Sequence, residues 1–278
     1  MALMAFAAAW AALVDAADER DVDLVVVGAF VVMMVVYWSY GGALAALELY
    51  APHVLERFAP KYQPTRPLRV QRTAYNPSMR ALIQNVLINQ CLVVVPGMWF
   101  MSRVCERAQP YVPWRIGVHV TRELPPLWDT LARMAVAAVL VEVFFFTSHY
   151  VLHIGPLYRL VHKRHHEFHA PTALAAVYAH PIEALFGNTF AVIGPAWLVG
   201  VHALPFLLGV AYGWASTCTG HAGLSLPWSR GKDFHDWHHE YNTGNYGTLQ
   251  IMDALFGTDR RYREQKRAQR QATKTKAR

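Results

Sequence analysis

Charged residues are scarce in this sequence. Asp, Glu, Lys and Arg make up 16% of its 278 residues, whereas soluble domains carry about 25%. Hydrophobic residues account for 54%, and the mean hydropathy is +0.16. The length alone allows one or two domains. Because the missing charges leave long uncharged runs, we predict a single membrane body with a polar cap.

Cysteine is also rare. The chain has three cysteines, Cys91, Cys105 and Cys218, and no CxxC pair. This pattern excludes a disulfide framework and a thiolate zinc site. Cys91 and Cys218 lie in apolar runs, where we expect them to be small buried hydrophobic residues. The net charge of +7 suits nucleic acid or an anionic membrane surface. The apolar runs favour the membrane, so no nucleic acid partner is expected.

The uncharged runs predict an all-α membrane bundle with about four transmembrane spans. Residues 24–47 exceed the ~20 residues that a helix needs to cross a bilayer. Residues 81–102 and 134–148 form two further candidates. The stretch 184–229 contains no Asp, Glu, Lys or Arg and is too long for one crossing. Because prolines interrupt it, we expect a helical hairpin there.

The basic residues predict which ends of the spans face the cytosol. Residues 51–80 carry six Lys and Arg residues and one acidic residue, Glu56, and basic loops stay cytosolic. Counting crossings from this loop places the histidine-rich segments 149–180 and 221–239 on the same cytosolic side. An odd number of crossings between them would have separated them.

We divide the chain into three parts. Residues 1–127 hold the first spans and loops, and residues 128–262 hold the catalytic part with the third span and the hairpin. Residues 263–278 form a basic tail, which we expect to be disordered or to lie on anionic lipid. Lys274 and Lys276 in this tail resemble the K-x-K-x-x signal for retrieval to the endoplasmic reticulum.

Histidine, by contrast, is abundant. Twelve of the 14 histidines fall between His149 and His239. HYVLH places His149 and His153 at i and i+4, on one face of a helix. The boxes HKRHH and HDWHH repeat an i, i+3, i+4 spacing, which predicts three imidazoles on one helical stripe in each. Their histidines are His162, His165, His166, His235, His238 and His239. His221 stands between the boxes, in GHAG.

These nine histidines are too many for one metal ion, which takes about four to six ligands, and suit a pair of ions. Imidazole binds iron, zinc and copper. Two neighbouring irons can activate O₂ if coordination positions stay open. Carboxylates that orient the imidazoles are expected nearby. Glu167 and Asp236, each beside a box, are the candidates for a catalytic role, and Glu142, Glu183 and Glu240 are further candidates for an orienting role.

The motifs resemble those of the fatty acid hydroxylase/sterol desaturase superfamily. HYVLH, HKRHHEFHAPTALAAVYAHPIE and FHDWHHEYNTGNYG look like its three histidine boxes, in order and at similar spacing. GHAG followed by LPW and the closing DALFGTDRRY match as well, so the resemblance covers about residues 60–262. HDWHH and AVYAHPIE look most like the C-4 methylsterol oxidase branch. The C-5 sterol desaturase branch is more distant.

The resemblance implies a multi-pass enzyme of the endoplasmic reticulum, with two iron ions bound on the cytosolic side. It also implies O₂ as a substrate and electrons from NAD(P)H through cytochrome b5 and its reductase. The implied metal ligands are His149, His153, His162, His165, His166, His180, His221, His235, His238 and His239. The chain departs from the family at Tyr150, where Arg is usual, and at Ile154, where a histidine often follows the first box.

We therefore expect O₂-dependent oxidation of a membrane lipid, with stepwise oxidation of a sterol 4-methyl group as the favoured reaction. C-5 sterol desaturation and hydroxylation of fatty acids or alkylglycerols share the iron chemistry, so histidine spacing does not separate them. A membrane metal transporter is the alternative from a different class. That alternative predicts ligands at the bilayer midplane.

Overall fold

The structure is a computed structural model that describes residues 2–17, 21–55, 58, 77–168, 171–225 and 233–276. Most of the predicted basic loop, His169 and the LPW motif lie outside the described residues. Within those ranges the chain is nearly all helical, and the only β pairing is a parallel bridge between His119 and His202. The prediction of an all-α fold is confirmed.

We number the main helices in chain order. They are α1 (Ala2–Ala17), α2 (Asp21–Tyr50), α3 (Met79–Tyr111), α4 (Leu127–Leu152), α5 (Gly155–Leu160), α6 (Glu183–Val199), α7 (Ala203–His221), α8 (Asp233–Tyr241), α9 (Ile251–Phe256) and α10 (Arg260–Lys276). Two 3₁₀ segments, His162–Glu167 and Ala173–Val177, lie between α5 and α6.

Three helices, α2, α3 and α4, are long and apolar enough to cross a membrane. They correspond to the three uncharged runs that predicted spans, and each extends beyond its run into charged flanks. In α2 this extension begins with Asp21 and Asp23, which lie in the first turn and interact favourably with the positive end of the helix dipole. The chain is therefore a membrane protein.

Helices α6 and α7 form the predicted hairpin. A left-handed residue, Gly200 at φ +69°, ends α6, and His202 caps α7 by accepting a hydrogen bond from the amide of Leu204. The turn packs closely against another loop, because a Cβ added to Gly200 would lie 2.3 Å from the carbonyl oxygen of Arg115. Helix α6 is shorter than the three candidate spans, so a fourth crossing stays a prediction.

Helices α2, α3 and α6 contain π-helical stretches, at Tyr37–Gly41, Asn89–Val94 and Glu183–Ile193. Such stretches are rare and often occur near functional sites. The extra residue in each turn rotates polar side chains into the bundle. Tyr37 donates a hydrogen bond to the carbonyl of Leu174 at 2.5 Å, and the indole of Trp38 donates one to Gln90.

Two hydrophobic clusters fill the bundle, one at each end. The first surrounds Tyr37, Leu82 and Leu174 and packs beneath the 3₁₀ segments. The second surrounds Met33, Met98 and Trp197 and packs against α1 and the hairpin turn. Since the first cluster includes Phe168, Tyr178 and Cys218, it lies directly beside the histidine-bearing segments.

Two expectations about exposure and order were wrong. Cys91 is exposed on α3, whereas Cys218 is buried as predicted. The basic tail forms the helix α10, and the alternative of disorder is incorrect for the residues described. Helix α10 is ordered because Tyr262 and Lys266 both bind Asp233 of α8.

Replacing Gly200 with Ala should destabilise the hairpin turn. The left-handed conformation costs an L-residue roughly 1–2 kcal/mol, and the new Cβ would also collide with the Arg115 carbonyl. We expect a lower midpoint of thermal inactivation in detergent. Gly213→Ala in α7 is the matched control, because its Cβ would have no neighbour within 4 Å. An equal midpoint for the two variants would contradict this account of the turn.

Candidate metal centre

Nine of the ten predicted ligands come together in two groups at one end of the bundle. In each group, one ligand atom from every member lies within 4.8 Å of the others. The first group comprises His149, His153, His162, His166 and His238. The second group comprises His165, His221, His235 and His239. The prediction that both histidine-rich segments meet at one end of the spans is confirmed.

Each HxxHH box supplies both groups. The predicted α-helical stripe is present in α8, which carries HDWHH, but the prediction is wrong for HKRHH. HKRHH forms a 3₁₀ turn instead of an α-helix. In this turn His165 lies in the second group, whereas His162 and His166 lie in the first. In α8, His235 and His239 lie one turn apart and serve the second group, and His238 faces the first.

Backbone carbonyls hold the imidazoles by their Nδ1 atoms. A carbonyl oxygen only accepts, so a ring nitrogen at hydrogen-bond distance from it carries the proton. Nδ1 therefore donates, and Nε2 is left unprotonated to bind metal. The Nδ1···O distances are 2.8 Å for His149 to Tyr246, 3.1 Å for His165 to Tyr178, 2.9 Å for His221 to Thr217, 2.6 Å for His238 to Gly244 and 3.2 Å for His239 to Phe168.

The unprotonated nitrogens face one another at distances that suit a shared cation. Nε2 of His221 lies 3.4 Å from Nε2 of His165 and 3.1 Å from Nε2 of His235, which lies 3.2 Å from Nε2 of His239. Facing lone pairs repel each other unless a cation lies between them. Two nitrogens bound to one ion at about 2.1 Å, roughly at right angles, lie about 3 Å apart. The second group therefore fits a metal ion.

The first group has the same arrangement. Nε2 of His166 lies 3.0 Å from Nε2 of His162 and 3.1 Å from Nε2 of His238. Nε2 of His149 and Nε2 of His153 are buried and have no hydrogen-bond partner among the described residues. Buried polar atoms are rarely left unsatisfied. A cation in this group would satisfy all five nitrogens.

Burial keeps these imidazoles uncharged. Desolvation lowers the pKa of His153 and of His162 to about 3, and the neighbouring imidazole of His162 adds to the shift at His153. Burial also holds the pKa of His238 and of His239 well below its ordinary value. Since only neutral imidazole binds metal, the ligands are in the binding form at neutral pH without a proton being displaced.

Comparison with known proteins places this centre in a family. The family described as Fatty acid hydroxylase matches residues 134–258. Fatty acid hydroxylase domain-containing protein 2 from Macaca fascicularis is 30% identical over 264 residues, which cover 93% of this chain and 74% of that protein. The chain belongs to the fatty acid hydroxylase family. The chain therefore falls within the fatty acid hydroxylase/sterol desaturase superfamily, as its histidine motifs predicted.

Other family members carry different activities in their names. Methylsterol monooxygenase 2-2 from Arabidopsis thaliana is 37% identical over 154 residues, covering 51% of this chain and 58% of that protein. Very-long-chain aldehyde decarbonylase GL1-11 from Oryza sativa subsp. indica is 32% identical over 218 residues, covering 71% and 76%. No solved structure matches the chain.

The predicted carboxylates take different places around the family's histidines. Glu183 is buried, and its Oε1 lies 3.0 Å from Nδ1 of His162, as expected of an orienting residue. Glu167 accepts a hydrogen bond from the hydroxyl of Tyr178. Asp236 lies against Gly223, where an added Cβ would be 2.8 Å from its Cγ. A catalytic role for Glu167 and Asp236 stays a prediction.

His180 is not part of either imidazole group. Its Nδ1 accepts a hydrogen bond from the amide of Ile182 at 3.2 Å, at the start of α6. This contact occupies Nδ1 and gives the side chain a role in capping the helix. The structure therefore brings together nine of the ten histidines that the family resemblance implied, and leaves His180 beside them.

The NTGNYG motif is the support for the first imidazole group. Asn242, Gly244 and Asn245 have positive φ values of 56°, 67° and 57°, which turn the carbonyl of Gly244 towards His238 and that of Tyr246 towards His149. Asp253 fixes this loop by accepting hydrogen bonds from the amides of Tyr246 and Gly247. We had not predicted this role for Asp253. The Asn and Gly residues, which tolerate positive φ, were the available signal.

Two asparagines in α3 support the second group, and sequence reasoning missed their function. The Oδ1 of Asn85 accepts a hydrogen bond from the amide of Ala179 at 3.0 Å, and Nδ2 of Asn89 donates one to the carbonyl of Ala179 at 3.0 Å. The adjoining carbonyl, that of Tyr178, holds Nδ1 of His165. The second predicted span is therefore polar on one side because it holds the backbone that orients a ligand.

Removing one imidazole from either group should release about half of the bound metal, since each group fits its own ion. His162→Ala tests the first group and His239→Ala the second. Elemental analysis of purified protein measures metal per chain. His180→Ala and the exposed His53→Ala are controls that should keep the full content. A large loss in His180→Ala would make His180 a ligand after all.

Asn85→Leu should weaken metal binding in the second group. It leaves the amide of Ala179 buried without an acceptor, at a cost of about 1–3 kcal/mol, and frees the backbone that carries Tyr178. Loss of such outer support typically lowers metal affinity by about 10–100-fold, measurable by chelator competition. Asn85→Asp keeps the oxygen acceptor and should be milder, and Gln84→Leu on the exposed face of α3 should have no effect. Equal affinities in all three variants would exclude this role.

Proposed function

We propose that the protein is a membrane-bound di-iron oxygenase that oxidises a C–H bond of a sterol or related lipid. The observation that carries this proposal is the pair of uncharged imidazole groups at one end of the apolar helices. When bound, two iron ions would supply the activation of O₂. A neutral ligand shell leaves the positive charge of such ions largely uncompensated, which suits a strong oxidant.

The nine histidines of the two groups would hold the metal. Carbonyls of loop and helix residues fix five of the rings, and Glu183 lies against His162 from within α6. Burial excludes water from the imidazoles, since His238 and His239 are fully buried. A rigid and dry ligand shell prevents side reactions of the oxidant with solvent. The chain therefore contributes positioning and exclusion of water.

Among the possible reactions, we favour stepwise oxidation of a sterol 4-methyl group. The relative named Methylsterol monooxygenase 2-2 supports this choice, because it is 37% identical to this chain over 154 residues. C-5 sterol desaturation and hydroxylation of fatty acids or alkylglycerols are the alternatives with the same metal chemistry. The rice relative is named as an aldehyde decarbonylase, so the names of similar proteins include more than one type of reaction.

We further propose that the electrons come from NAD(P)H through cytochrome b5 or its reductase. Insertion of an oxygen atom from O₂ into a C–H bond consumes an electron pair and releases water, so an external donor is required. We also assign the enzyme to the endoplasmic reticulum, with its metal centre on the cytosolic side. The family resemblance supports the endoplasmic reticulum, and the basic residues of the 51–80 loop support the cytosolic side.

A metal transporter is the less favoured function. Transporters bind their ions near the midplane of the membrane, along a path through the helices. Here His149 lies in the last turn of α4 and His221 is the last residue of α7. The remaining ligands follow the spans or lie between them. Because these ligands lie at the ends of the helices, their placement favours a fixed metal centre over a transport path through the membrane.

Purified protein in nanodiscs should consume O₂ when supplied with a 4-methylsterol, iron and reduced cytochrome b5, and it should form the 4-hydroxymethyl product. His238→Ala should abolish turnover but still insert into the membrane.

Sterol profiles of cells lacking the protein should show accumulated 4-methylated sterols. Turnover of a fatty acid but of no sterol would reject the favoured substrate, and metal uptake without any O₂ consumption would favour the transporter.

A further inference from the structure

Helix α9 and Leu249, two residues before it, expose a row of large apolar side chains. The exposed fractions are 50% for Leu249, 56% for Ile251, 73% for Leu255 and 63% for Phe256. On its inner side, the helix buries Asp253, which supports the loop of the first imidazole group. A short helix with one apolar exposed side and one polar buried side is typical of a segment at a lipid surface.

The contacts of α9 with α4 fix its depth along that span. Helix α4 has 26 residues, and at 1.5 Å per residue it is about 39 Å long, whereas the hydrocarbon layer is about 30 Å thick. If all of the excess lay at the end near Leu152, about 9 Å of α4 would project into water. A segment that contacts α4 more than about 9 Å from Leu152 therefore lies at the depth of the hydrocarbon layer.

The start of α9 lies beyond that limit. The carboxylate of Glu142 accepts hydrogen bonds from the amides of Thr248 at 2.7 Å, Leu249 at 2.6 Å and Met252 at 2.9 Å. Glu142 is ten residues before Leu152, which corresponds to about 15 Å along the helix. The first turn of α9 is therefore level with the hydrocarbon layer, and Glu142 supplies the acceptors that water would provide elsewhere.

The apolar row continues the outward surface of the third span. The ring of Phe256 stacks on Phe146 of α4 at 5.5 Å between centroids, and Phe146 stacks in turn on Tyr150. Tyr150 is 48% exposed and Ile154 is 51% exposed. These two positions are the departures from the family pattern, and in both the residue present is one that suits a lipid-facing surface.

Basic residues border the apolar row. Helix α10 follows α9 after three residues and contains eight Lys and Arg residues and one acidic residue, Glu264. Arg260, Arg261 and Arg263 are exposed. Each basic residue near an anionic leaflet contributes about 1 kcal/mol to binding. An apolar row followed by a basic helix complements the acyl chains and the headgroups of one leaflet.

We propose that residues 248–256 form a membrane-embedded segment, with Leu249, Ile251, Leu255 and Phe256 among the acyl chains of the leaflet at the metal-site end. The same segment carries Asp253 on its buried side. The lipid surface thus seats the loop that orients His149 and His238. This inference depends on the spans and not on the reaction, so it stands or falls independently of the proposed function.

The test measures quenching of a fluorophore by lipids with a nitroxide on the acyl chain. Leu255→Cys, in a Cys91→Ser, Cys105→Ser background, is labelled with bimane in nanodiscs of phosphatidylcholine and phosphatidylserine; the buried Cys218 stays unlabelled. We expect loss of most of the fluorescence and a blue-shifted emission. Ile251→Cys is a second probe in case one variant does not fold.

Two controls calibrate the result. Val139→Cys lies in the middle of α4 and is 54% exposed, so it should be strongly quenched. Glu264→Cys lies on the charged helix and should keep its fluorescence. Quenching at positions 255 and 251 that resembles position 139 supports the proposal. Quenching that resembles position 264 overturns it, as would disulfide formation between two copies through position 255, which would make the row a contact between chains.

Discussion

The repulsion between unprotonated imidazole nitrogens is the constraint on which the rest of this structure depends. Seven of the nine rings bring their Nε2 atoms to 3.0–3.4 Å from one another, and burial prevents protonation from relieving the repulsion. Only cations between the rings make the arrangement stable. The spans, the 3₁₀ turn and the short helix α8 each end or turn where a ring must point inwards.

Backbone carbonyls, rather than carboxylates, do most of the orienting. Five rings donate Nδ1 to a carbonyl, and among the described contacts Glu183 is the carboxylate that approaches a ligand directly. Neutral acceptors leave the charge of bound metal uncompensated. The acidic groups act one step further away, since Glu142 and Asp253 hold the loop whose carbonyls hold the rings.

Much of the fold was predictable because its signals are local. A helix in lipid needs a long uncharged run, so α2, α3 and α4 follow from composition alone. The meeting of the two histidine-rich segments also followed from counting crossings. The polar residues of α3 were visible in the sequence as well, but Asn85 and Asn89 act on Ala179, about 90 residues away, and no local pattern indicates such a partner.

The sequence by itself determined the spans, the hairpin and the identity of the nine imidazoles, because these depend on hydropathy and on ligand chemistry. The tertiary structure alone decided which ring belongs to which imidazole group. HKRHH adopts a 3₁₀ turn instead of an α-helix and its rings divide between the two groups, and His180 turns to cap α6. The reason is physical: ring direction depends on backbone geometry imposed by packing, and spacing along the chain does not specify it.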